Sequence, residues 1–366
     1  MSLSVGIVGL PNVGKSTLFT ALTRNEVLIA NYPFATIDPT VGVVPVPDNR
    51  LQTLASISGS EEIIPAVIEF VDIAGLVKGA SAGEGLGNKF LANIREADMI
   101  GEVVRIFEDE DVHHVSGVID PMSDIEVINL ELIMADAETV AKRHGNIERD
   151  AKRGDKEAVL EHDLLERLLK HLEAGNLANQ FDYTEKEEKL IKNLHLLTNK
   201  AFLYICNRKN GSFNLDENND ERWTELLEFF EKTNSEYVVV DAGVEHELRD
   251  LAEDEKTEFR REYGAQDSGV DALIRAAYRK LGLMSYFTTG EKETRAWTVK
   301  VGATGPEAAG VIHTDFQQKY IRAQVMTFED LVAAGSKAAA KEAGKLRTEG
   351  KEYIVQEGDV IEFMHS

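Results

Sequence analysis

The sequence predicts an α/β protein with a mostly parallel sheet, a helical hairpin inserted into it and a smaller α+β domain after it. Short apolar, β-branched runs alternate with helical stretches, which is typical of parallel strands covered by helices on both faces. The predicted strands are Ser4–Val8, Val67–Val71, Ile100–Ile106, Ala201–Ile205 and Tyr237–Val240. The clearest predicted helices between these strands are Lys15–Thr23 and Trp223–Lys232.

The insertion is predicted because the alternation stops between about Asp124 and Leu197. Apolar residues such as Leu130, Ile133 and Ala137 fall at helical spacing there, and charged residues occupy the other faces. Gly145 and Gly154 bracket a polar segment, which we interpret as the tip of an antiparallel, coiled-coil-like pair of helices. We therefore expect a helical hairpin over 124–197.

The pattern changes again near Leu281, where a third region begins. The segments RAWTVKVGAT and KEYIVQEGDVIEF alternate like strands, and a lysine- and alanine-rich helix is predicted between them at Phe328–Arg347. The expected division is a nucleotide-binding domain over 1–123 and 198–280, the hairpin over 124–197, and a C-terminal domain over 281–366.

Composition narrows the class of protein. The 366 residues are 43% hydrophobic, enough for a sizeable core. The N-terminus lacks the layout of a signal peptide, no apolar run is long enough to span a membrane, and Cys206 is the single cysteine. We therefore expect a soluble, cytoplasmic protein without a membrane partner.

The net charge of −24 argues against general nucleic-acid binding, but two stretches run against this trend. The first is the segment 142–156, which we call the hairpin patch, and the second is the segment 337–351, which we call the C-terminal patch. Their basic residues are Lys142, Arg143, Arg149, Lys152, Arg153 and Lys156 in the first, and Lys337, Lys341, Lys345, Arg347 and Lys351 in the second. Each patch could equally be a solvated helix face with alternating charge.

A phosphate-binding motif follows the first predicted strand. The segment GLPNVGKS, residues 9–16, matches the P-loop pattern GxxxxGK[ST] and precedes a predicted helix. In this motif backbone N–H groups point at phosphate oxygens, the lysine reaches the β- and γ-phosphates, and the hydroxyl holds Mg²⁺. We assign the phosphate site to Gly9, Asn12, Val13, Gly14, Lys15, Ser16 and Thr17.

Two further motifs complete a magnesium and γ-phosphate site. In EFVDIAGL an apolar strand ends at Asp72, whose carboxylate can lie beside Mg²⁺ while the Gly75 N–H contacts the γ-phosphate. In NYPFATIDP, Thr36 can bring its hydroxyl to Mg²⁺ when triphosphate is bound and release it after hydrolysis. The expected cofactor is Mg²⁺, held by Ser16, Thr36 and Asp72.

These motifs resemble those of the Obg-related GTPases. The segments VVRIFEDEDVHHVSG, DPMSDIEVIN and RAWTVKVGATGPEAAGVIHTDF narrow the resemblance to the YchF, or Obg-like ATPase, family over nearly the whole chain. The resemblance implies a P-loop GTPase-type sheet and a C-terminal TGS domain of the β-grasp type. It also implies ribosome binding, to the 70S particle and the large subunit, and hydrolysis of ATP in preference to GTP.

The base-reading loop departs from both patterns known for this class. Guanine readers carry Asn-Lys-x-Asp and the YchF pattern is NxxE, whereas this chain has Asn207, Arg208, Lys209 and Asn210. The amide of Asn210 can accept one guanine proton or donate to an adenine ring nitrogen, so selectivity for guanine should be lost. We expect Asn207 to brace the loop, Arg208 and Asn210 to lie at the base, and GTP to bind more weakly than ATP or comparably.

A second departure concerns the attacking water. Many GTPases place a glutamine after the DxxG glycine to orient it, but here the position is Leu76. His113 and His114, in the segment after the strand 100–106, are the nearest candidates, and His114 is our predicted catalytic residue.

The leading hypothesis is a Mg²⁺-dependent ATPase that binds the ribosome and its rRNA through local basic patches and acts as a switch. One alternative is a GTPase of the Obg class, and another is a nucleotide-gated RNA-binding module in which hydrolysis is incidental. A P-loop kinase would leave the DxxG and NxxN motifs unexplained.

Overall fold

The computed structural model describes residues 3–23, 40–73, 86–109, 119–218, 220–249, 251, 255–256, 258–259 and 268–365. These residues form two compact units, the first within 3–43 and 69–273 and the second within 44–68 and 274–366. None of the helices in the described ranges is both long and apolar enough to cross a bilayer.

The strands are numbered in chain order. They are β1 Ser4–Val8, β2 Val41–Pro45, β3 Glu62–Ile64, β4 Val67–Asp72, β5 Met99–Arg105, β6 Phe107–Glu108, β7 Ala201–Asn207, β8 Phe213–Asn214, β9 Glu236–Val240, β10 Leu283–Thr289, β11 Glu293–Lys300, β12 Tyr320–Thr327, β13 Arg347–Glu349 and β14 Asp359–His365.

The helices are numbered in the same way. They are α1 Lys15–Leu22, α2 Arg50–Ser58, α3 Leu86–Glu96, α4 Pro121–Lys152, α5 Lys156–Glu173, α6 Glu188–Asn193, α7 Glu221–Lys232, α8 Ala242–Leu248, α9 Gly269–Lys280, α10 Gly305–Ile312, α11 Thr314–Gln318, α12 Phe328–Ala334 and α13 Lys337–Glu342, with a 3₁₀ turn at Ala178–Gln180.

The first unit is organised by a sheet of strand order β2-β4-β1-β5-β7-β9. The pairings of β4 with β1, β1 with β5, β5 with β7 and β7 with β9 are all parallel, which confirms the predicted mostly parallel sheet. The central strand β5 is buried along its whole length, as expected for a strand covered on both faces. Because the strands are parallel, the carboxyl ends of β1, β4, β5, β7 and β9 meet at one edge, where binding sites of such sheets form.

The helical hairpin consists of α4 and α5. Asp120 caps the start of α4 by accepting the Ser123 N–H at 3.0 Å, and Asp155 caps α5 by accepting the Ala158 N–H at 2.9 Å. The prediction that Gly145 begins the tip was wrong, because α4 continues through it to Lys152. The turn is formed at Gly154, whose φ of +84° is a left-handed conformation that glycine adopts without strain.

The hairpin has its own apolar core, and a buried acid lies at its base. Val140, Leu164 and Leu168 are among the fully buried residues of this core. Asp136, also fully buried, accepts the N–H groups of Leu197 and Thr198 at 2.8 Å each. The segment that re-enters the sheet at β7 is thereby fastened to α4.

The second unit contains a sheet of strand order β13-β12-β14-β10-β11-β3. The strand β3 pairs in parallel with β11, so residues 44–68 belong to this unit and not to the nucleotide-binding region in which the sequence placed them. Pairing between segments about 230 residues apart leaves no local signal in the sequence.

The single helix predicted at 328–347 was also wrong in its extent. Helix α12 ends at Gly335, which has a φ of +73°, and α13 begins after Ser336, whose hydroxyl accepts the Ala339 N–H at 3.2 Å. Arg347 lies in strand β13 rather than on a helix. The basic residues of the C-terminal patch are therefore spread over a helix, a turn and a strand.

Candidate nucleotide-binding site

The phosphate loop lies between β1 and α1, at the carboxyl edge of the parallel sheet. Gly9 has a φ of +153° and Gly14 a φ of +101°, conformations that favour glycine. A Cβ at Gly9 would lie 2.6 Å from the Val103 carbonyl oxygen, and one at Gly14 would lie 2.2 Å from Asn207 Nδ2. Both glycines of the motif are therefore required by the backbone path and by close approach of neighbouring elements.

Lys15 crosses back over this loop from the first turn of α1. It is only 8% exposed, and its Nζ donates to the Leu10 carbonyl oxygen at 2.7 Å. Burial lowers the pKa of Lys15 to about 8, and the charge of Asp72 opposes this shift. An ammonium has three donors, and within the described residues only the bond to Leu10 uses one, so Lys15 can still donate to a bound anion.

Asp72 and Ser16 are the described members of the predicted magnesium set. Asp72 ends β4, beside β1, where its register partner is Ile7. Burial raises the pKa of Asp72, and the positive charge of Lys15 lowers it. Ser16 lies exposed on the first turn of α1, next to the exposed Thr17. A hydroxyl and a carboxylate oxygen at this edge are ligands that Mg²⁺ accepts.

Asn207, at the end of β7, connects three elements of the site. Its Nδ2 donates to the Val13 carbonyl oxygen of the phosphate loop at 2.8 Å. Its Oδ1 accepts the Ala242 N–H, at the start of α8, at 3.0 Å. With only 4% of its surface exposed, Asn207 is a buried brace for the phosphate loop as well as for the loop that it begins.

The next two residues of this loop are held by acidic partners. Arg208 Nη1 lies 3.0 Å from Glu217 Oε1 and 3.7 Å from Asp216 Oδ2. The ammonium of Lys209 forms an ion pair with Asp109. We predicted Arg208 as a nucleotide contact, but its guanidinium is turned toward acidic residues of the same loop region.

Asn210 is held through its backbone rather than its side chain. Its N–H donates to Asp241 Oδ2 at 2.6 Å, while its amide is exposed and has no hydrogen-bond partner among the described residues. The other oxygen of Asp241 caps α8 by accepting the Val244 N–H at 2.9 Å. Burial raises the pKa of Asp241, and these N–H donors oppose the shift.

Asp241 is a residue of this site that we did not predict from the sequence. The available signal was an acid between the strand EYVVV and a helix, which is the usual position of a helix cap. Its contact with residue 210 depends on the pairing of β7 with β9 and could not be read from the local pattern. Five other predicted or discussed positions, Thr36, Gly75, Leu76, His113 and His114, lie outside the described residues.

The two basic patches differ in how many of their charges are already paired. In the hairpin patch Arg143 pairs with Glu161, Lys152 with Glu148 and Arg153 with Asp150. In the C-terminal patch Lys337 pairs with Glu362, Lys345 with Asp330 and Arg347 with Glu349 and Asp359. The exposed basic residues with no ion pair to the described residues are Lys142, Arg149 and Lys156 in the first patch and Lys341 and Lys351 in the second.

Two protein-family models match the chain. One, described as "50S ribosome-binding GTPase", matches residues 4–130. The other, YchF-GTPase_C, described as "Protein of unknown function (DUF933)", matches residues 283–366.

Curated relatives and a solved structure match over nearly the full length. The ribosome-binding ATPase YchF of Bacillus subtilis (strain 168) is 52% identical over 363 residues, 99% of each chain. The protein of that name from Escherichia coli O157:H7 is 49% identical over 364 residues, covering 100% of this chain and 99% of the relative. The structure of the Schizosaccharomyces pombe YchF GTPase superposes with a TM-score of 0.88 at 35% identity, covering 99% of this chain and 98% of that one.

Proposed function

Since the chain belongs to the YchF family, we propose that it is a Mg²⁺-dependent ATPase that binds the ribosome and acts as a nucleotide-driven switch in translation or stress response. The observation that carries the hydrolase assignment is the phosphate loop, where the buried Lys15, beside Asp72, uses only one of its donors within the described residues. The names of the relatives support the ribosomal partner. The C-terminal region is proposed to be a TGS domain of the β-grasp type.

In the proposed reaction, the protein positions the triphosphate and stabilises the charge that develops on it. Lys15 donates to the β- and γ-phosphates, and N–H groups of the loop 9–14 and of Ser16 and Thr17 surround the phosphate oxygens. Mg²⁺, when bound, neutralises charge on the β- and γ-oxygens, and Ser16, Thr36 and Asp72 would hold it. Two observations support these roles: Ser16 and Thr17 are exposed on the first turn of α1, and Asp72 ends β4, the strand that pairs with β1.

The remaining catalytic roles are assigned from sequence. Gly75 contacts the γ-phosphate, and His114, with His113 as the second candidate, orients the attacking water in place of the glutamine that Leu76 replaces. A switch that releases Thr36 and Gly75 after hydrolysis would couple phosphate loss to a change in partner binding.

ATP is the proposed substrate, with GTP bound more weakly or comparably. The neutral amide of Asn210 can donate to an adenine ring nitrogen and accept from the adenine amino group, as asparagine does at adenine in DNA. GTP hydrolysis is the second candidate, since one matching family model and one solved relative are described as GTPases. Without an acid at position 210 the two donors of the guanine edge lack their usual acceptor.

Ribosome binding is proposed to run through the hairpin patch, because a chain of net charge −24 must meet rRNA through local positive charge. The patch offers three exposed basic residues that have no acidic partner in the described ranges, Lys142, Arg149 and Lys156, against two in the C-terminal patch. A lysine or arginine that is paired with an acid brings a negative charge with it. It therefore neutralises rRNA phosphate less well and displaces fewer of the counterions held there. The hairpin patch is therefore the stronger candidate, and the C-terminal patch is the second.

Replacing Lys142, Arg149 and Lys156 together by alanine should weaken ribosome association and flatten its dependence on salt. Each phosphate contact contributes about −0.7 to −0.9 to the slope of log affinity against log salt, so the slope should become shallower by roughly two to three. The measurement is sedimentation of the chain with 70S particles and with large subunits over a series of salt concentrations. ATP hydrolysis by the free chain should be unchanged.

A matched control replaces Arg143, Lys152 and Arg153, which lie on the same hairpin and change the net charge equally but are paired with acids. This variant should retain most of the parental slope. An unchanged slope in the first variant, or equal flattening in both, would contradict a contact at Lys142, Arg149 and Lys156, and Lys341 and Lys351 would be tested next. An unmodified chain that neither sediments with ribosomes nor hydrolyses ATP would overturn the proposed function itself.

A further inference from the structure

The loop 207–210 ends in Asn210 where guanine readers have an acid, yet a carboxylate contacts the backbone of this residue. Asp241 Oδ2 accepts the backbone N–H of Asn210 at 2.6 Å. This distance is short for an N–H donor, as is usual when the acceptor is charged. Among residues 207–210, Asn210 is the one whose side chain has no hydrogen-bond or ion-pair partner in the described ranges, and Asp241 holds it through its backbone.

Asp241 is itself rigidly placed. Its second oxygen accepts the Val244 N–H, and the adjacent Ala242 N–H is accepted by Asn207. In addition, the Arg208 N–H donates to the Val240 carbonyl oxygen at 2.9 Å. Residues 207, 208 and 210 are thus each tied to the segment 240–242, and position 210 is tied to it by the carboxylate of Asp241.

We propose that Asp241 is a positioning residue for base selection, which fixes the backbone of Asn210 so that its exposed amide faces the base. The inference rests on the proposed function only in taking position 210 as the residue that reads the base. Asp241 touches no nucleotide atom in this proposal and acts through Asn210.

The arrangement also explains why an amide rather than an acid suits position 210 in this chain. A carboxylate at position 210 would lie close to the carboxylate of Asp241, because Asp241 already contacts the backbone of residue 210. Two neighbouring negative charges disfavour each other's ionisation. An acid at 241 and an acid at 210 are therefore alternatives. The nature of residue 241 should decide how much selectivity any residue at 210 can provide.

Two substitutions and their combination test this coupling. In Asp241→Asn the remaining side-chain oxygen can still cap α8, but an NH2 group replaces the carboxylate oxygen that accepts the Asn210 N–H. The preference for ATP over GTP should therefore fall by about three- to tenfold. Asn210→Asp alone should raise the GTP/ATP affinity ratio only about threefold, because Asp241 opposes its charge. The double variant should raise the ratio by roughly a hundredfold, beyond the product of the two single effects.

The measurement is the affinity of each variant for Mg²⁺-ATP and Mg²⁺-GTP by titration calorimetry, with the ratio as the readout. Asp155→Asn is the matched control, since Asp155 caps α5 by the same contact with the third helical N–H and does not touch the base-reading loop. It should lose comparable stability and leave the ratio at the parental value.

Two results would overturn the proposal: a parental ratio in Asp241→Asn, or single effects that multiply to give the double variant. Either would reduce Asp241 to a helix cap. A parent chain that favours GTP would instead overturn the proposed substrate, and the coupling between positions 210 and 241 would still be measured by the same four ratios.

Discussion

Alanine at position 15 is expected to lower the affinity for ATP by about a hundredfold or more while leaving the chain folded. Within the part of the chain that the structure describes, the ammonium uses one of its three donors, which leaves two for the β- and γ-phosphates, and hydrogen bonds to charged groups contribute about 1.5–3 kcal/mol each. Lys15 is buried with a lowered pKa, so its removal also relieves a desolvation cost and stability should change little. Titration calorimetry with Mg²⁺-ATP and a denaturant curve measure the two effects.

Lys200 provides a matched control for this substitution. It is a partly buried lysine with a pKa lowered by burial, and its Nζ also donates to backbone carbonyls, those of Arg95 and Ala97. It precedes β7, at the edge of the sheet opposite to the phosphate loop. Lys200→Ala should keep parental ATP affinity, and near-parental affinity in Lys15→Ala would refute the phosphate-loop assignment.

Loss of the Asn207 side chain should impair both stability and nucleotide binding. In Asn207→Ala the Val13 carbonyl and the Ala242 N–H, both on buried residues, lose their partner. Each unsatisfied buried group costs about 1–3 kcal/mol, so the free energy of unfolding should fall by roughly 2–4 kcal/mol. Since the phosphate loop loses a brace, affinities for ATP and GTP should fall by similar factors, in contrast to the change in ratio expected at position 241.

The control for this variant is Asn214→Ala. Asn214 is also a buried amide, and it bonds within the loop after β7 to the N–H and carbonyl groups of Lys209. It should lose stability but keep a larger share of its nucleotide affinity. If both variants bind nucleotide equally well, the contact between Asn207 and Val13 has no role in shaping the phosphate loop.

Much of the first unit could be predicted from sequence because its signals are local. The strand β1 was predicted with the correct bounds, and the other four predicted strands differ from the observed ones by one or two residues at their ends. The two glycines of the phosphate-loop motif are required in the structure by their positive φ angles and by close neighbours. The motif in the sequence therefore predicted this part of the site correctly.

The features that the sequence did not predict depend on distant pairing. The strand β2 lies at the edge of the sheet, where the Asp72 N–H donates to the Thr40 carbonyl oxygen beside it. Residues 44–68 join the second unit through β3 and β11.

A single glycine inside a helical pattern is ambiguous, since Gly145 lies within α4 whereas Gly335 ends α12.

The most direct test of the proposed base preference is a parallel titration of the unmodified chain with Mg²⁺-ATP and Mg²⁺-GTP under one set of conditions. We expect ATP to bind at least as tightly as GTP, because Asn210 offers an amide held in place by Asp241 where guanine readers offer an acid. If GTP binds about tenfold or more tighter than ATP, this preference is refuted, and guanine must find an acceptor in addition to the single one that the Asn210 amide can offer.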